Sequence, residues 1–135
     1  MSTILIVEDE RSNLDFFQRA LEREGHCVLC AMSGAEAREI CRHKRMNVDL
    51  VIADAVLREG SGARLALDIA GDCGSPPVLL VSSCPPDILM DQGYLDDARR
   101  RRLRLLQKPF TAARFVKAVD SVLPGTPSPA MGAGS

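Results

Sequence analysis

The 135-residue chain has almost no net charge: 17 Lys and Arg against 18 Asp and Glu leave a formal −1 at pH 7. It therefore offers no long-range field for steering onto nucleic acid or an anionic membrane. Long apolar runs are also missing, and nothing approaches the roughly 20 residues that a membrane span needs. No basic region or apolar signal core precedes the first strand-like stretch, which begins directly after Met1-Ser2. The expected location is thus the cytoplasm. Histidine is scarce, and His26 and His43 stand alone without an assigned role. The five cysteines are an odd number scattered over positions 27, 30, 41, 73 and 84, which argues against a disulfide framework. Cys27 and Cys30 have C-x-x-C spacing but lie in an apolar stretch where residues three apart point to opposite faces of a strand. They read as small buried apolar residues rather than a metal or redox pair. No internal repeat is present.

What the chain does have is the composition of an ordinary globular domain, 46% apolar and 26% charged, with enough length for one core. Residues 3–7 form an apolar run that reads as a buried strand. Leu14, Phe17 and Leu21 follow at helical spacing, and Gly25 is a natural left-handed stop. A short strand over 26–31 leads to Ser33-Gly34-Ala35-Glu36, a capping box that opens a helix turning Ala37, Ile40 and Cys41 inward. The third strand, Leu50 to Ala53, ends on Asp54. Gly60 and Gly62 mark a flexible loop before a short helix whose inner face is Leu65 and Ile69. After Pro76-Pro77 comes a fourth strand, 78–81. Pro85-Pro86 then suits a first helical turn, and Gly93 breaks the helical pattern before Tyr94 and Leu95. A fifth strand, 103–106, precedes a helix striped by Phe115, Val119, Val122 and Leu123 that stops at Pro124. The domain is expected over 1–123, with a disordered Pro/Gly/Ser/Ala tail over 124–135. Strand and helix alternate five times with short connections, the pattern of a doubly wound α/β fold with a five-stranded parallel sheet and about five helices.

In such sheets, ligands bind beyond the carboxyl ends of the strands. A strand order of 2-1-3-4-5 brings Glu8 and Asp9, Asp54, Ser82 and Lys108 to one rim. Three carboxylates at close range push one pKa up or recruit a cation. A hard divalent ion such as Mg²⁺, which takes one or two carboxylates plus water and phosphate oxygens, is the economical answer. A lysine and a serine hydroxyl opposite it can neutralise and hold a phosphoryl group, and phosphoryl transfer needs little beyond this positioning. Asp54 is the nucleophile of that site, forming an acyl phosphate. Taken singly, an acidic pair after a strand is usually a turn or helix-start device, and Lys-Pro a solvated strand end. The conjunction at four strand ends points to chemistry.

Val7-Glu8-Asp9, Asp54 with Gly62 eight residues on, Val81-Ser82-Ser83 and Gln107-Lys108-Pro109-Phe110 together resemble the receiver domain of bacterial two-component response regulators. The likeness covers Thr3 to about Leu123. It implies a flavodoxin-like fold and a signalling module, not an enzyme, in which Asp54 accepts phosphoryl from a sensor histidine kinase or histidine phosphotransfer protein. It further implies that Asp9 binds Mg²⁺ directly, Glu8 helps through water, and Asp54 and the Val56 carbonyl complete the metal ligands. Ser82 and Lys108 would hold the phosphoryl oxygens, and the Lys108–Pro109 bond would be cis. A downstream protein partner is expected on the face built from the fourth helix, fifth strand and fifth helix, and a weak homodimer is compatible with it. Neither a membrane nor a nucleic acid is expected as partner.

The sequence also departs from that pattern. Arg58 stands where proline is frequent, which implies a less constrained loop. Leu105 stands where an aromatic switch residue is common. Val56 and Cys84 lack polar groups that could position hydrolytic water, which implies a long-lived acyl phosphate. The run Arg99 to Arg102 with Arg104 reads as a solvated helix end, with Asp96 and Asp97 paired four residues along to Arg100 and Arg101, or as a docking patch. Two other readings are open to the same residues: a degenerate receiver acting as a constitutive scaffold, and a phosphatase. The second wants an acid two residues after the nucleophile, where Val56 stands.

Overall fold

The computed structural model describes residues 2–44 and 47–123; the tail at 124–135, expected to be disordered, lies outside the described residues. Strands β1 (Thr3–Val7), β2 (Cys27–Ala31), β3 (Leu50–Asp54), β6 (Val78–Ser82) and β7 (Arg104–Gln107) form one sheet of order β2-β1-β3-β6-β7, every pairing parallel. This is the order expected from the alternation of elements. Between β3 and β6 lies a second sheet of two short antiparallel strands, β4 (Val56–Leu57) and β5 (Gly60–Ser61). The helices are α1 (Arg11–Arg23), α2 (Gly34–Lys44), α3 (Gly62–Asp72), α4 (Pro86–Asp91), α5 (Asp97–Arg100) and α6 (Ala112–Val122).

The near-continuous apolar strands follow from burial on both faces. Leu5, Val7, Val51, Ala53, Val78 and Leu80 turn to one side, against Ala37, Leu65, Ile69, Leu89 and Leu95. Ile4, Ile6, Leu50, Ile52, Leu79 and Val81 turn to the other, against Leu14, Phe17 and Leu21 of α1 and Phe115 and Val119 of α6. All four phenylalanines, 16, 17, 110 and 115, meet on that second side, with the Phe17 and Phe115 rings 4.9 Å apart. β2 is an edge strand, so Cys27 and Cys30 are half-buried rather than fully buried. Burial still pushes the Cys30 thiol up from its ordinary pKa.

Local signals explain most boundaries. Gly25 and Gly93 take positive φ, 86° and 81°, where α1 and α4 end. The helical segment after β6 is indeed broken: Pro86 opens α4, Gly93 closes it, and Asp96 caps α5 by accepting from the Arg99 amide at 2.8 Å. The Ser33 hydroxyl accepts from the Glu36 amide at 3.1 Å, while the Glu36 carboxylate reaches one residue further back than a standard capping box, to the Met32 amide at 2.9 Å.

Several expectations are corrected. The Asp96 carboxylate pairs with Arg99 at 2.6 Å, three residues on, because it sits at the cap and faces the first turn. No pairing to Arg100 or Arg101 occurs among the described residues. His43 contacts Glu39 one turn earlier at 2.6 Å, and the His26 ring accepts from the Ser2 amide at 3.3 Å, so neither stands alone. Cys41 and Cys73 are joined as a disulfide between α2 and the end of α3, with Cα atoms 6.3 Å apart. Their separation of 32 residues gives no local signal; the packing of both helices on one side of the sheet brings them together.

Candidate functional site

Register decides which side chains meet. Val7 lies level with Ala53, Asp54 with Val81, and Ser82 with Gln107. The residues at or just past these ends, Glu8, Asp54, Ser82 and Lys108, therefore share one rim. The ladder continues one residue beyond the strands: the Ala55 amide donates to the Val81 carbonyl at 2.8 Å and the Lys108 amide to the Ser82 carbonyl at 2.7 Å. The Lys108–Pro109 bond is cis, as expected.

At the centre, the Lys108 ammonium lies 3.0 Å from Asp54 Oδ2, with both side chains about four-fifths buried. Asp54 Oδ1 accepts from the Val56 amide at 3.0 Å. Asp9 Oδ2 accepts from the Arg58 amide at 2.7 Å. Glu8 is buried; its Oε2 accepts from the Glu10 amide at 3.1 Å, and its Oε1 has no partner among the described residues. Burial above all, and then the charge of Asp54, push the Glu8 carboxyl up to about 7; the Glu10 amide and Lys108 act in the opposite sense. The rim thus pairs Asp54 with one ammonium, that of Lys108, beside a buried Glu8 carboxyl whose pKa is raised to about 7.

Among the described residues, no three or more His, Cys, Asp or Glu side chains form a ready metal cage. Asp9 and Asp54 each give an oxygen to a backbone amide, leaving Glu8 Oε1 as the buried carboxylate oxygen without a partner. The donor chemistry still suits a hard divalent cation, since carboxylates, a main-chain carbonyl at Val56 and water are the ligands such ions take. The fit lies in the donor set, not in a preformed clamp.

A family model described as the response regulator receiver domain matches residues 4–120. The chain belongs to the response regulator receiver domain family. This receiver is similar to protein PilH of Pseudomonas aeruginosa, at 27% identity over 93% of this chain and 100% of PilH. It is 32% identical to a segment of the sensor kinase CckA of Brucella abortus, over 90% of this chain. The chain spans only 12% of that kinase, and 26% of the transcriptional regulatory protein GlrR of Escherichia coli. Among solved structures, the receiver domain of the hybrid histidine kinase CckA superposes with a TM-score of 0.70 at 28% identity, covering 90% of this chain and 98% of that one. Vibrio cholerae CheY4 superposes at 0.75 with 22% identity, covering 91% and 99%, which speaks to the fold alone.

Against that family, the site shows features that the sequence did not make legible. Arg58 does not loosen its loop. Its amide ties the loop to Asp9, a bond that proline, lacking an N–H, could not make. Gly60 and Gly62 do not mark flexibility either. Gly60 takes φ 123° as the first residue of β5, opposite Leu57, and a side chain on Gly62 would overlap the Asp54 carbonyl oxygen. Glu59, which no motif singles out, accepts from the Gly34 amide at 2.7 Å and ties the hairpin to the start of α2. The Ser82 hydroxyl is committed to its neighbour: it donates to the Cys84 carbonyl and accepts from the Cys84 amide, both at 2.9 Å. Leu105, at the common aromatic position, packs half-buried against the α3 side of the sheet.

Proposed function

We propose that this receiver is the phosphoacceptor of a two-component phosphorelay. Asp54 takes a phosphoryl group from a phosphohistidine donor, and the phosphorylated surface controls a protein partner. The observation that carries this reading is the Asp54–Lys108 pair at the carboxyl rim, 3.0 Å apart beside the buried, unpartnered oxygen of Glu8. A carboxylate oxygen of Asp54 attacks phosphorus, the P–N bond to the donor imidazole breaks, and an acyl phosphate forms. Lys108 shifts from the carboxylate to an incoming phosphoryl oxygen, so one ammonium serves both states. Ser82 has a single hydroxyl proton, now given to the Cys84 carbonyl. Donating it to a phosphoryl oxygen means releasing that carbonyl, which couples the acceptor to the loop after β6. Glu8, Asp9, Asp54 and the Val56 carbonyl are the groups that would hold Mg²⁺, which supplies the remaining charge compensation when bound. Val56, two residues after Asp54, has no proton to give a leaving group, so the reading is a signalling module rather than a phosphatase.

Donor partners are a sensor histidine kinase or a histidine phosphotransfer protein. The downstream partner is assigned to the face of α4, α5, β7 and α6, which carries the arginine run, and a weak homodimer would use the same face. No helix among the described residues is long and apolar enough to cross a membrane.

The scaffold reading draws support from one observation: Asp9 and Asp54 are already engaged by backbone amides. Beryllofluoride with Mg²⁺, which mimics an aspartyl phosphate, separates the two. A rise in thermal midpoint for wild type and none for Asp54→Asn supports the phosphoacceptor. No response in wild type supports the scaffold.

A further inference from the structure

Of the five cysteines, Cys27, Cys30 and Cys84 are free thiols, and Cys41 and Cys73 are paired. Their Cα separation of 6.3 Å falls within the range that a disulfide spans. Cys41 sits in the last turns of α2 and Cys73 is the C-cap of α3. Both are only partly buried, and Cys41 lines a groove of about 160 Å³ together with Arg38, Arg42, Ile69 and Asp72. A small thiol or disulfide therefore has access to the bond.

The two helices matter because of where they begin. The first amide of α2, at Gly34, is held by the Glu59 carboxylate, and the first amide of α3, at Gly62, donates to the Ala55 carbonyl at 2.9 Å. Both helices thus start on the segment that directly follows Asp54. The cysteines join them at the opposite end. With the bond closed, segment 55–59, α2 and α3 form a ring tied at both ends; with it open, packing alone holds the far end.

We propose that Cys41 and Cys73 form a reversible redox staple between α2 and α3 that stiffens the frame around the loop following Asp54. Closure proceeds by thiol–disulfide exchange with a small-molecule disulfide of the glutathione class. The Cys41 thiolate attacks one sulfur of that disulfide and expels one thiolate. The Cys73 thiolate then attacks the Cys41 sulfur of the mixed disulfide and expels the second. Two protein thiols are oxidised, one small disulfide is reduced to two thiols, and the reverse sequence opens the staple. An accessible pair of this kind follows the redox poise of its surroundings instead of acting as a permanent cross-link.

The test does not depend on the phosphoacceptor reading. The full chain is equilibrated in glutathione buffers from reducing to oxidising, quenched in acid, alkylated in denaturant and read by intact mass and peptide mapping. The expected result is five alkylated cysteines at the reducing end. At the oxidising end, three are alkylated and a peptide linking Cys41 to Cys73 appears, with slower hydrogen exchange in α2, α3 and the 55–61 segment. The Cys41→Ser and Cys73→Ser double variant should show no redox-dependent change in exchange. Five alkylated cysteines at every poise, or glutathione adducts without the internal link, overturn the proposal. So does an internal link that leaves exchange in α2 and α3 unchanged. The wild-type thiol count stands even where the double variant does not fold.

Discussion

Burial of Glu8 next to Asp54 couples folding to pH. Its carboxyl, ordinarily near 4.5, is pushed up to about 7. Between those pH values the folded chain keeps a proton that the unfolded chain has released. Stability contributed by this residue therefore falls as pH rises through that window and is level above it. Glu8→Gln removes the titration and keeps an oxygen for the Glu10 amide. In metal-free buffer at about pH 8 the variant is expected to be more stable than wild type by roughly 2–3 kcal/mol, an advantage that fades toward about pH 4. Urea denaturation across that range measures it, and a variant less stable than wild type at the alkaline end contradicts the assignment. Gly62 is the second residue with a sharp expectation. Its missing side chain leaves room for the Asp54 carbonyl, so Gly62→Ala should cost about 2 kcal/mol or more in equilibrium unfolding. A neutral effect would show that the α3 start can move away from the rim.

Among elements, the hairpin after β3 sets the behaviour of the acceptor loop. Ser61 ends β5, caps α3 by accepting from the Arg64 amide at 3.2 Å, and donates to the Tyr94 carbonyl at 2.7 Å, joining the hairpin to the turn between α4 and α5. Ser61→Ala should cost about 1 kcal/mol and speed hydrogen exchange in the first turn of α3 and around Tyr94; unchanged exchange would mean that the hydroxyl bonds nothing essential. The proposed acyl phosphate has an expected lifetime as well. Val56 and Cys84 offer no polar side chain to orient water, so the acyl phosphate is expected to last minutes rather than seconds, as followed by phosphate release. A lifetime of seconds contradicts this. The hairpin itself was hidden in the sequence because two-residue strands leave no period to read, and Gly60 and Gly62 looked like slack. The central strands β1, β3 and β6 were legible because burial on both faces makes them unbroken apolar runs, the half-buried edge strands β2 and β7 by their own apolar residues, and the split of α4 from α5 at Gly93.

For the molecule as a whole, the parallel order and the meeting of Glu8, Asp54, Ser82 and Lys108 followed from strand ends that each finish on a polar residue. What no local pattern carried were contacts made by packing: Arg58 with Asp9, Glu59 with Gly34, and Cys41 with Cys73. A charge run such as Arg99 to Arg102 likewise shows its sign but not its partner. The central claim is chemical and needs only the rim. Wild type and Asp54→Asn are incubated with phosphoramidate and Mg²⁺, and intact mass is read over time. The account predicts an adduct of about 80 Da, the mass of one added phosphoryl group, on wild type alone, lost on omission of Mg²⁺. An unmodified wild type, or equal modification of both proteins, would contradict it.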